Sequence, residues 1–261
     1  MYKKMIVVGR LGRDPEMRYT PSGTPQLGFS IATDRKYKDQ AGQQVTETIW
    51  IRVTMFGQKV ERYNTLLKKG YLVLLEGRLN PDKNGNPRAY INQQDNTPRA
   101  SYDFTAYDVL VLSARGESEL TAEDEENGDY ARVVFTGLVE TEPEMKFTSS
   151  NTAQALFRVV SVRIYKNQTT GQSATETTHY NVSVFGKRAE VVQNYVHAGS
   201  RILIEGRLAV DSRTGGPRGA EGAEHAGFDI IASDFVFLPS KDGGSRPVEP
   251  GAPEPTDDVP F

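Results

Sequence analysis

Cysteine is absent from the 261-residue chain, which excludes disulfide bonds and thiolate metal sites. Histidine is scarce: His179, His197 and His225 are far apart and have no cysteine partners. The sequence also contains no phosphate-binding loop of the Gly-Lys-Ser/Thr type and no nucleophile elbow. We therefore expect a protein that has no cofactor and is not an enzyme.

Long hydrophobic runs are missing as well. The apolar stretch that follows the N-terminal lysines, residues 5–8, is too short for a signal peptide. No run approaches the ~20 residues that a membrane-spanning helix needs. Together with the lack of cysteine, this pattern predicts a cytoplasmic location.

The net charge of −3 is distributed unevenly along the chain. Residues 1–115 carry 18 Lys and Arg against 11 Asp and Glu, and residues 130–238 carry 11 of each. Residues 116–129 carry no basic residue and seven acidic ones, and residues 239–261 carry two basic and five acidic ones. A basic first segment favours a polyanionic partner, despite the negative total.

An internal duplication organises the chain. Residues 9–20 match residues 137–148 at an offset of 128, and residues 76–79 match residues 205–208 at an offset of 129. Repeats of this length indicate a duplicated domain. The predicted organisation is a first domain at 1–115, an acidic linker at 116–129, a second domain at 130–238 and a disordered acidic tail at 239–261.

Each copy has the pattern of five strands and one helix. In the first copy, strands are predicted at 4–11, 24–38, 45–56, 71–79 and 102–112, with a helix at 57–69. Three strands, a helix and two strands is the order of an oligonucleotide-binding (OB) barrel. The predicted fold class is all-β, with two tandem five-stranded OB barrels and one short helix in each.

The third strand carries the most informative pattern, because successive side chains of a strand point to opposite faces. One face is uniformly apolar and is expected in the core: Ile49, Ile51, Val53 and Met55. The other face carries Trp50, which is the only tryptophan, together with Arg52, Thr54 and Phe56. Such a face offers rings for base stacking, worth ~1–3 kcal/mol per base, and a cation for phosphate.

Several alternatives remain open for this face. Trp50 could be covered by a loop or lie in a dimer interface, since aromatic residues are enriched in protein interfaces too. Stacking and phosphate contacts do not by themselves distinguish DNA from RNA. A structural assembly protein is a third possibility, but it would not need Trp50, Arg52 and Phe56 on one face.

Further candidates occur in both copies. Each copy contains Arg-x-Tyr-Lys near the end of its second strand, and Phe185 is the counterpart of Phe56. His179 stands where the first copy has Trp50, so we expect weaker binding by the second domain. The full predicted nucleic-acid-binding set is Arg35, Lys36, Tyr37, Trp50, Arg52, Phe56, Arg78, Arg88, Arg163, Tyr165, Lys166, Phe185 and Arg207.

Residues 8–16, 29–33, 48–57 and 75–79 closely resemble, in this order, the bacterial single-stranded DNA-binding protein family, and so does the C-terminal segment 257–261. The resemblance covers nearly the whole chain, twice. It implies an OB fold that coats single-stranded DNA in replication, recombination and repair.

The resemblance also implies roles for particular residues. Tyr37, Trp50 and Phe56 match family stacking positions, as do Tyr165 and Phe185 in the second copy. The family typically assembles four OB folds, so two per chain imply a homodimer. The tip formed by Asp257, Asp258, Val259, Pro260 and Phe261 resembles the segment that docks partner proteins of DNA metabolism. One departure is that residues 80–84 and 209–213 carry no ring where the family has a stacking aromatic.

Overall fold

The computed structural model describes residues 1–39, 41–93, 95–114, 131–166, 171–210, 216–217 and 227–239. The first copy contains β1 (Lys3–Leu11), β2 (Glu16–Tyr19), β3 (Pro25–Lys38), β4 (Gln44–Phe56), α1 (Lys59–Leu66), β5 (Leu72–Asn80), β6 (Arg88–Ile91) and β7 (Pro98–Ser113). The second contains β8 (Ala131–Val139), β9 (Glu144–Phe147), β10 (Ala153–Lys166), β11 (Ser173–Phe185), α2 (Lys187–Tyr195), β12 (Arg201–Leu208) and β13 (Phe228–Leu238). The predicted linker and nearly all of the predicted tail lie outside the described residues.

Each copy closes a five-stranded barrel, which confirms the predicted fold class. In the first, β1 pairs antiparallel with β3 and β5, β3 with β4, and β5 with β7, while β4 and β7 pair in parallel. In the second, β8, β10, β11, β13 and β12 repeat these pairings. The apolar sides of the strands fill each barrel, with Phe29 and Phe104 fully buried in the first and Phe135 and Phe228 in the second.

Two details differ from the sequence prediction. The strands β2 and β6 were not predicted, because each is only four residues long and pairs along one edge of a longer strand. The helix predicted over 57–69 is shorter and ends at Leu66. Leu67 already has an extended backbone, yet its side chain is buried. Burial of Leu67 therefore does not require a helical backbone at that position.

The two barrels are joined through their first strands. β1 and β8 pair antiparallel, and Met5 lies opposite Val133, its own counterpart in the duplication. A strand pair in which counterparts face each other has an approximate twofold axis. The single chain therefore contains a pseudo-symmetric pair of barrels. Neither helix in the described part of the chain is long and apolar enough to span a membrane.

Ion pairs between the barrels follow the same symmetry. Arg78 Nη1 lies 3.0 Å from a carboxylate oxygen of Glu176, and Arg207 Nη1 lies 4.0 Å from one of Glu47. Lys3 reinforces the first pair, with Nζ 2.8 Å from Glu176. Buried charges are tolerated when they are paired in this way, so these contacts help to fix the relative placement of the two barrels.

Candidate nucleic-acid interface

The outer face of β4 presents the predicted aromatic residues to solvent. Trp50 and Phe56 are each 47% exposed, whereas the alternating positions from Ile49 to Met55 are buried. The predicted alternation is therefore confirmed. About half of the surface of Trp50 is exposed. None of the loops in the described part of the chain therefore covers its ring. Flat exposed rings on one strand give a surface on which bases can stack.

Gly12, which follows β1, makes room for the ring of Trp50. A β-carbon on Gly12 would lie 2.7 Å from Cζ3 of the tryptophan, closer than real β-carbons approach other atoms. The backbone N–H of Gly12 donates a hydrogen bond to the carbonyl of Ser30, 2.9 Å away, which fixes the glycine against β3. The orientation of the ring is thus set by the absence of a side chain on its neighbour.

A groove lined by arginines lies beside this aromatic face. Arg13, Arg18, Arg52 and Arg88 line it, together with the acidic residues Glu16 and Asp103. Arginine binds phosphate through a planar fork of donors, which suits a groove that follows a nucleic-acid backbone. Arg52 and Arg88 were predicted from the sequence. Arg13 and Arg18 were missed, although the duplicated motif at residues 9–20 contains both.

Asp103 partly neutralises the groove. One of its carboxylate oxygens lies 2.8 Å from Nε of Arg88, and the other lies 3.9 Å from Nε of Arg52. Burial raises the pKa of Asp103 above its usual value, although the Ser101 hydroxyl and Arg88 act in the opposite direction. A raised pKa makes the carboxylate easier to protonate, which would leave both arginines more available to an anion.

Tyr90, on β6, adds a ring to this region that the sequence analysis did not identify. Cζ of Arg52 lies 5.5 Å from the centre of the Tyr90 ring, within the range of a cation–π contact. The side chain is partly exposed. The sequence predicted no stacking aromatic in residues 80–84, and Tyr90 lies further along the same hairpin. Its Tyr-Ile pair in a short edge strand was the only available sequence signal.

Arg35 and Tyr37 lie on the other face of the β3–β4 ribbon. The strand register pairs Arg35 with Glu47 and Tyr37 with Val45, whereas Trp50 pairs with Ala32. Because faces alternate, Tyr37 does not share the surface of Trp50. Cζ of Arg35 lies 4.4 Å from the centre of the Tyr37 ring, and Tyr37 is exposed. Lys36 is four residues from Ala32 on β3, so it lies on the same face as Trp50.

The corresponding pair in the second barrel has the same geometry. Cζ of Arg163 lies 4.7 Å from the centre of the Tyr165 ring. Tyr165 and Lys166 are exposed at the end of β10. Phe185, at the end of β11, is also exposed and occupies the place of Phe56. The second barrel thus keeps a ring at each end of the β10–β11 ribbon, Tyr165 at one end and Phe185 at the other.

Arg78 and Arg207 each form an ion pair with the opposite barrel, which makes them less available to a nucleic acid. Both point to a glutamate of the opposite barrel, and the side chain of Arg78 is mostly buried. The geometry favours a role in joining the barrels, so we leave both out of the binding surface proposed below. The predicted partner-binding tip, Asp257 to Phe261, lies outside the described residues.

The model of the single-strand binding protein family matches residues 2–105 and residues 130–238. These two segments correspond to the two copies of the duplication and make up most of the chain. This chain belongs to the single-strand binding protein family. The resemblance drawn from the sequence motifs is therefore confirmed, and this family member is the form with two barrels in one chain.

Some relatives match about half of the family member and others match nearly all of it. The single-stranded DNA-binding protein of Neisseria meningitidis serogroup A is 40% identical over 123 residues, which is 47% of this chain and 67% of the relative. That of Thermus aquaticus is 27% identical over 277 residues, covering 99% of this chain and 98% of the relative. The crystal structure of the wild-type Thermus aquaticus protein has a TM-score of 0.59 and 23% identity, covering 94% of this chain and 98% of that one. The structural likeness shows that the two share a fold.

Proposed function

We propose that the chain binds single-stranded DNA without sequence preference, by stacking bases on Trp50 and Phe56 while arginines hold the phosphates. The observation that carries this proposal is the half-exposed ring of Trp50 beside a groove lined by arginines. Stacking tolerates every base because each base has a flat face, and phosphate contacts carry no sequence information.

The first barrel supplies most of the binding in this proposal. It has the tryptophan, the additional ring of Tyr90 and the groove arginines. The second barrel contributes Phe185, with Tyr165, Arg163 and Lys166 at the far end of the ribbon. Its balanced charge gives a weaker electrostatic attraction for a polyanion than the basic first segment.

We further propose that two chains associate as a homodimer through the outer face of the sheet that joins the barrels. β5, β1, β8 and β12 run side by side in this sheet, flanked by β7 and β13. Its solvent side carries apolar residues in both barrels, with Leu110 opposite Leu74 in the first and Val236 opposite Leu203 in the second. The ion pair between Lys4 and Glu76 lies on the same side. Leu110 and Val236 are more than half exposed. Large apolar side chains grouped on an exposed face of a sheet mark an interaction surface.

The cellular role follows from this activity and from the family resemblance. We propose that the protein coats single strands during DNA replication, recombination and repair, in the cytoplasm at the nucleoid, without itself catalysing a reaction. The acidic tip from Asp257 to Phe261 would recruit proteins of these processes. A phenylalanine next to acidic residues fits an apolar pocket that has a basic rim.

The test is a titration of the full chain with oligo(dT) at two salt concentrations, followed by tryptophan fluorescence. Because the chain has one tryptophan, the signal reports Trp50 alone. We expect quenching that saturates, with an affinity that falls as salt rises. Trp50→Ala has no tryptophan, so its affinity is measured by the anisotropy of dye-labelled oligo(dT), with the native chain measured in the same way. It should bind about tenfold more weakly, within the ~1–3 kcal/mol of one stacked base. Absence of binding at low salt would overturn the proposal.

A matched titration with oligo(rU) separates DNA binding from RNA binding. The rings and arginines of the groove offer nothing that requires a 2′-hydroxyl, so we expect oligo(dT) to bind at least as tightly as oligo(rU). A clear preference for oligo(rU) in direct competition would replace the DNA-binding proposal by an RNA-binding one.

A further inference from the structure

His179 and Glu140 of the second barrel occupy the positions that Trp50 and Gly12 hold in the first. The duplication aligns the two pairs at offsets of 129 and 128. In the first barrel, the glycine leaves space for a large ring that faces solvent. In the second, Nδ1 of His179 lies 2.9 Å from Oε2 of Glu140. A polar pair has thus replaced a position suited to base stacking.

The turn of the hairpin between β5 and β6, residues 82–86, lies on His179. The backbone N–H of His179 donates a hydrogen bond to the carbonyl of Gly85 at 2.9 Å. The two residues are so close that a β-carbon on Gly85 would overlap Cδ2 of the imidazole. Gly85 is buried, although residues at the tip of a hairpin normally face solvent. The turn of the first barrel therefore packs against β11 of the second.

The turn is organised by its own hydrogen bonds. The carboxylate of Asp82 accepts from the backbone N–H groups of Asn84 and Asn86, at 2.8 and 3.0 Å. The N–H of Asp82 donates to the carbonyl of Asn86 at 2.7 Å. Gly85 has a φ of +87°, which glycine adopts readily and other residues do not. A turn already fixed in this way loses little conformational entropy when it docks.

From these contacts, and resting on the proposed function, we infer that the outer face of β11 at His179 is a docking site for the first barrel's own hairpin turn. The turn occupies the place where a base would stack on an open second barrel. Single-stranded DNA therefore bypasses His179 and meets the second barrel only at the two ends of the β10–β11 ribbon, at Phe185 and at Tyr165. The two barrels of one chain bind DNA unequally for this reason.

Thiol labelling tests the inference, because the native chain has no cysteine. His179→Cys and Trp50→Cys place single thiols at equivalent positions of the two barrels. Without DNA, we expect the thiol of His179→Cys to react with a maleimide at least about tenfold more slowly than that of Trp50→Cys. Only 25% of the His179 side chain is exposed, and a small thiol beneath the turn reacts mainly when the structure opens locally. Saturating oligo(dT) should slow labelling of Trp50→Cys and leave the rate of His179→Cys unchanged. Equal rates without DNA, or protection of His179→Cys by DNA, would overturn the inference.

Amide hydrogen exchange tests the same contact in the native chain, without a substitution. The N–H of His179 donates to Gly85, so we expect slow exchange at His179 both with and without oligo(dT). Faster exchange in the presence of DNA would mean that the strand displaces the turn, and the inference would be wrong.

These measurements separate the inference from the proposed function. If the chain does not bind oligo(dT), the proposed function fails, whereas the labelling rates measured without DNA still report whether the turn is docked. If the chain binds DNA but His179→Cys labels as fast as Trp50→Cys, the inference fails and the proposed function stands.

Discussion

The ring of Trp50 lies against the backbone of Gly12, where a β-carbon would come within 2.7 Å of Cζ3. The exposed tryptophan therefore owes its orientation to a glycine from a different part of the barrel. The second barrel has no such arrangement, because Glu140 stands at the position of Gly12 and contacts His179 instead.

Gly12→Ala should weaken DNA binding without removing any group that contacts DNA. The added methyl group displaces the ring of Trp50, and we expect affinity for oligo(dT) to fall by about tenfold, within the ~1–3 kcal/mol of one stacked base. Fluorescence quenching of Trp50 measures the effect. A Gly12→Ala chain with native affinity and native quenching would contradict the prediction.

Removing the charge of Asp103 should strengthen binding. Asp103 lies between Arg52 and Arg88, so we expect Asp103→Asn to raise the affinity for oligo(dT) by about fivefold, roughly 1 kcal/mol for one close charge in water. Glu61→Gln, on the first turn of α1, removes an equal charge away from the groove and should have a smaller effect. An unchanged or lower affinity for Asp103→Asn would show that the groove does not bind phosphate.

The same carboxylate predicts a pH dependence. Burial raises the pKa of Asp103, so in the folded protein the group takes up a proton at a higher pH than a free aspartate does. As the pH falls through this raised pKa, Arg52 and Arg88 lose their counter-charge and DNA affinity should increase. The part of the pH dependence that is due to Asp103 should be absent in Asp103→Asn. Titrations of both chains between neutral pH and pH 4 make the comparison.

The contacts of Glu176 should matter for stability. It lies 2.8 Å from Lys3, 3.0 Å from Arg78 and 3.9 Å from Arg163, and only 4% of the Lys3 side chain is exposed. Glu176→Gln leaves a buried cation without its partner, which typically costs ~3–5 kcal/mol of unfolding free energy. Urea denaturation measures this loss.

Glu16→Gln is the control for that experiment. Glu16 pairs with Arg18 at 2.9 Å, and both side chains are substantially exposed. Exposed ion pairs contribute ~0–1 kcal/mol, so the denaturation midpoint should barely change. Equal effects of the two substitutions would show that the network around Glu176 does not hold the barrels together.

The proposed homodimer makes a prediction about mass. Leu110→Asp places a charge on the apolar outer face of the sheet, at a position that is 59% exposed in the single chain. We expect light scattering to report two chains for the native protein and one chain for the variant, because an unpaired buried charge is costly. Leu66→Asp, on the exposed side of α1, should keep the native mass. A native protein with the mass of one chain would refute the dimer.

Much of the fold was accessible from the sequence because both signals behind it are local. The period-two pattern around Trp50 gave the core and outer faces of β4, and the structure confirms this division. The duplication gave the second barrel without separate evidence. The short strands β2 and β6 were not predicted, because four residues carry too little pattern. Arg18 on β2 and Tyr90 on β6 were missed for the same reason.

The sequence by itself determined the family, the two barrels and the residues able to stack or to hold phosphate, because these depend on residue type and strand alternation. Only the tertiary structure decided which of them act together. In the structure, Tyr37 lies on the opposite face from Trp50, Arg78 forms an ion pair with Glu176, and Gly85 packs against His179. These relationships join residues that are distant in the chain or depend on the exact strand register. These relationships therefore depend on strand register and on the packing of one barrel against the other, which a local sequence pattern does not predict.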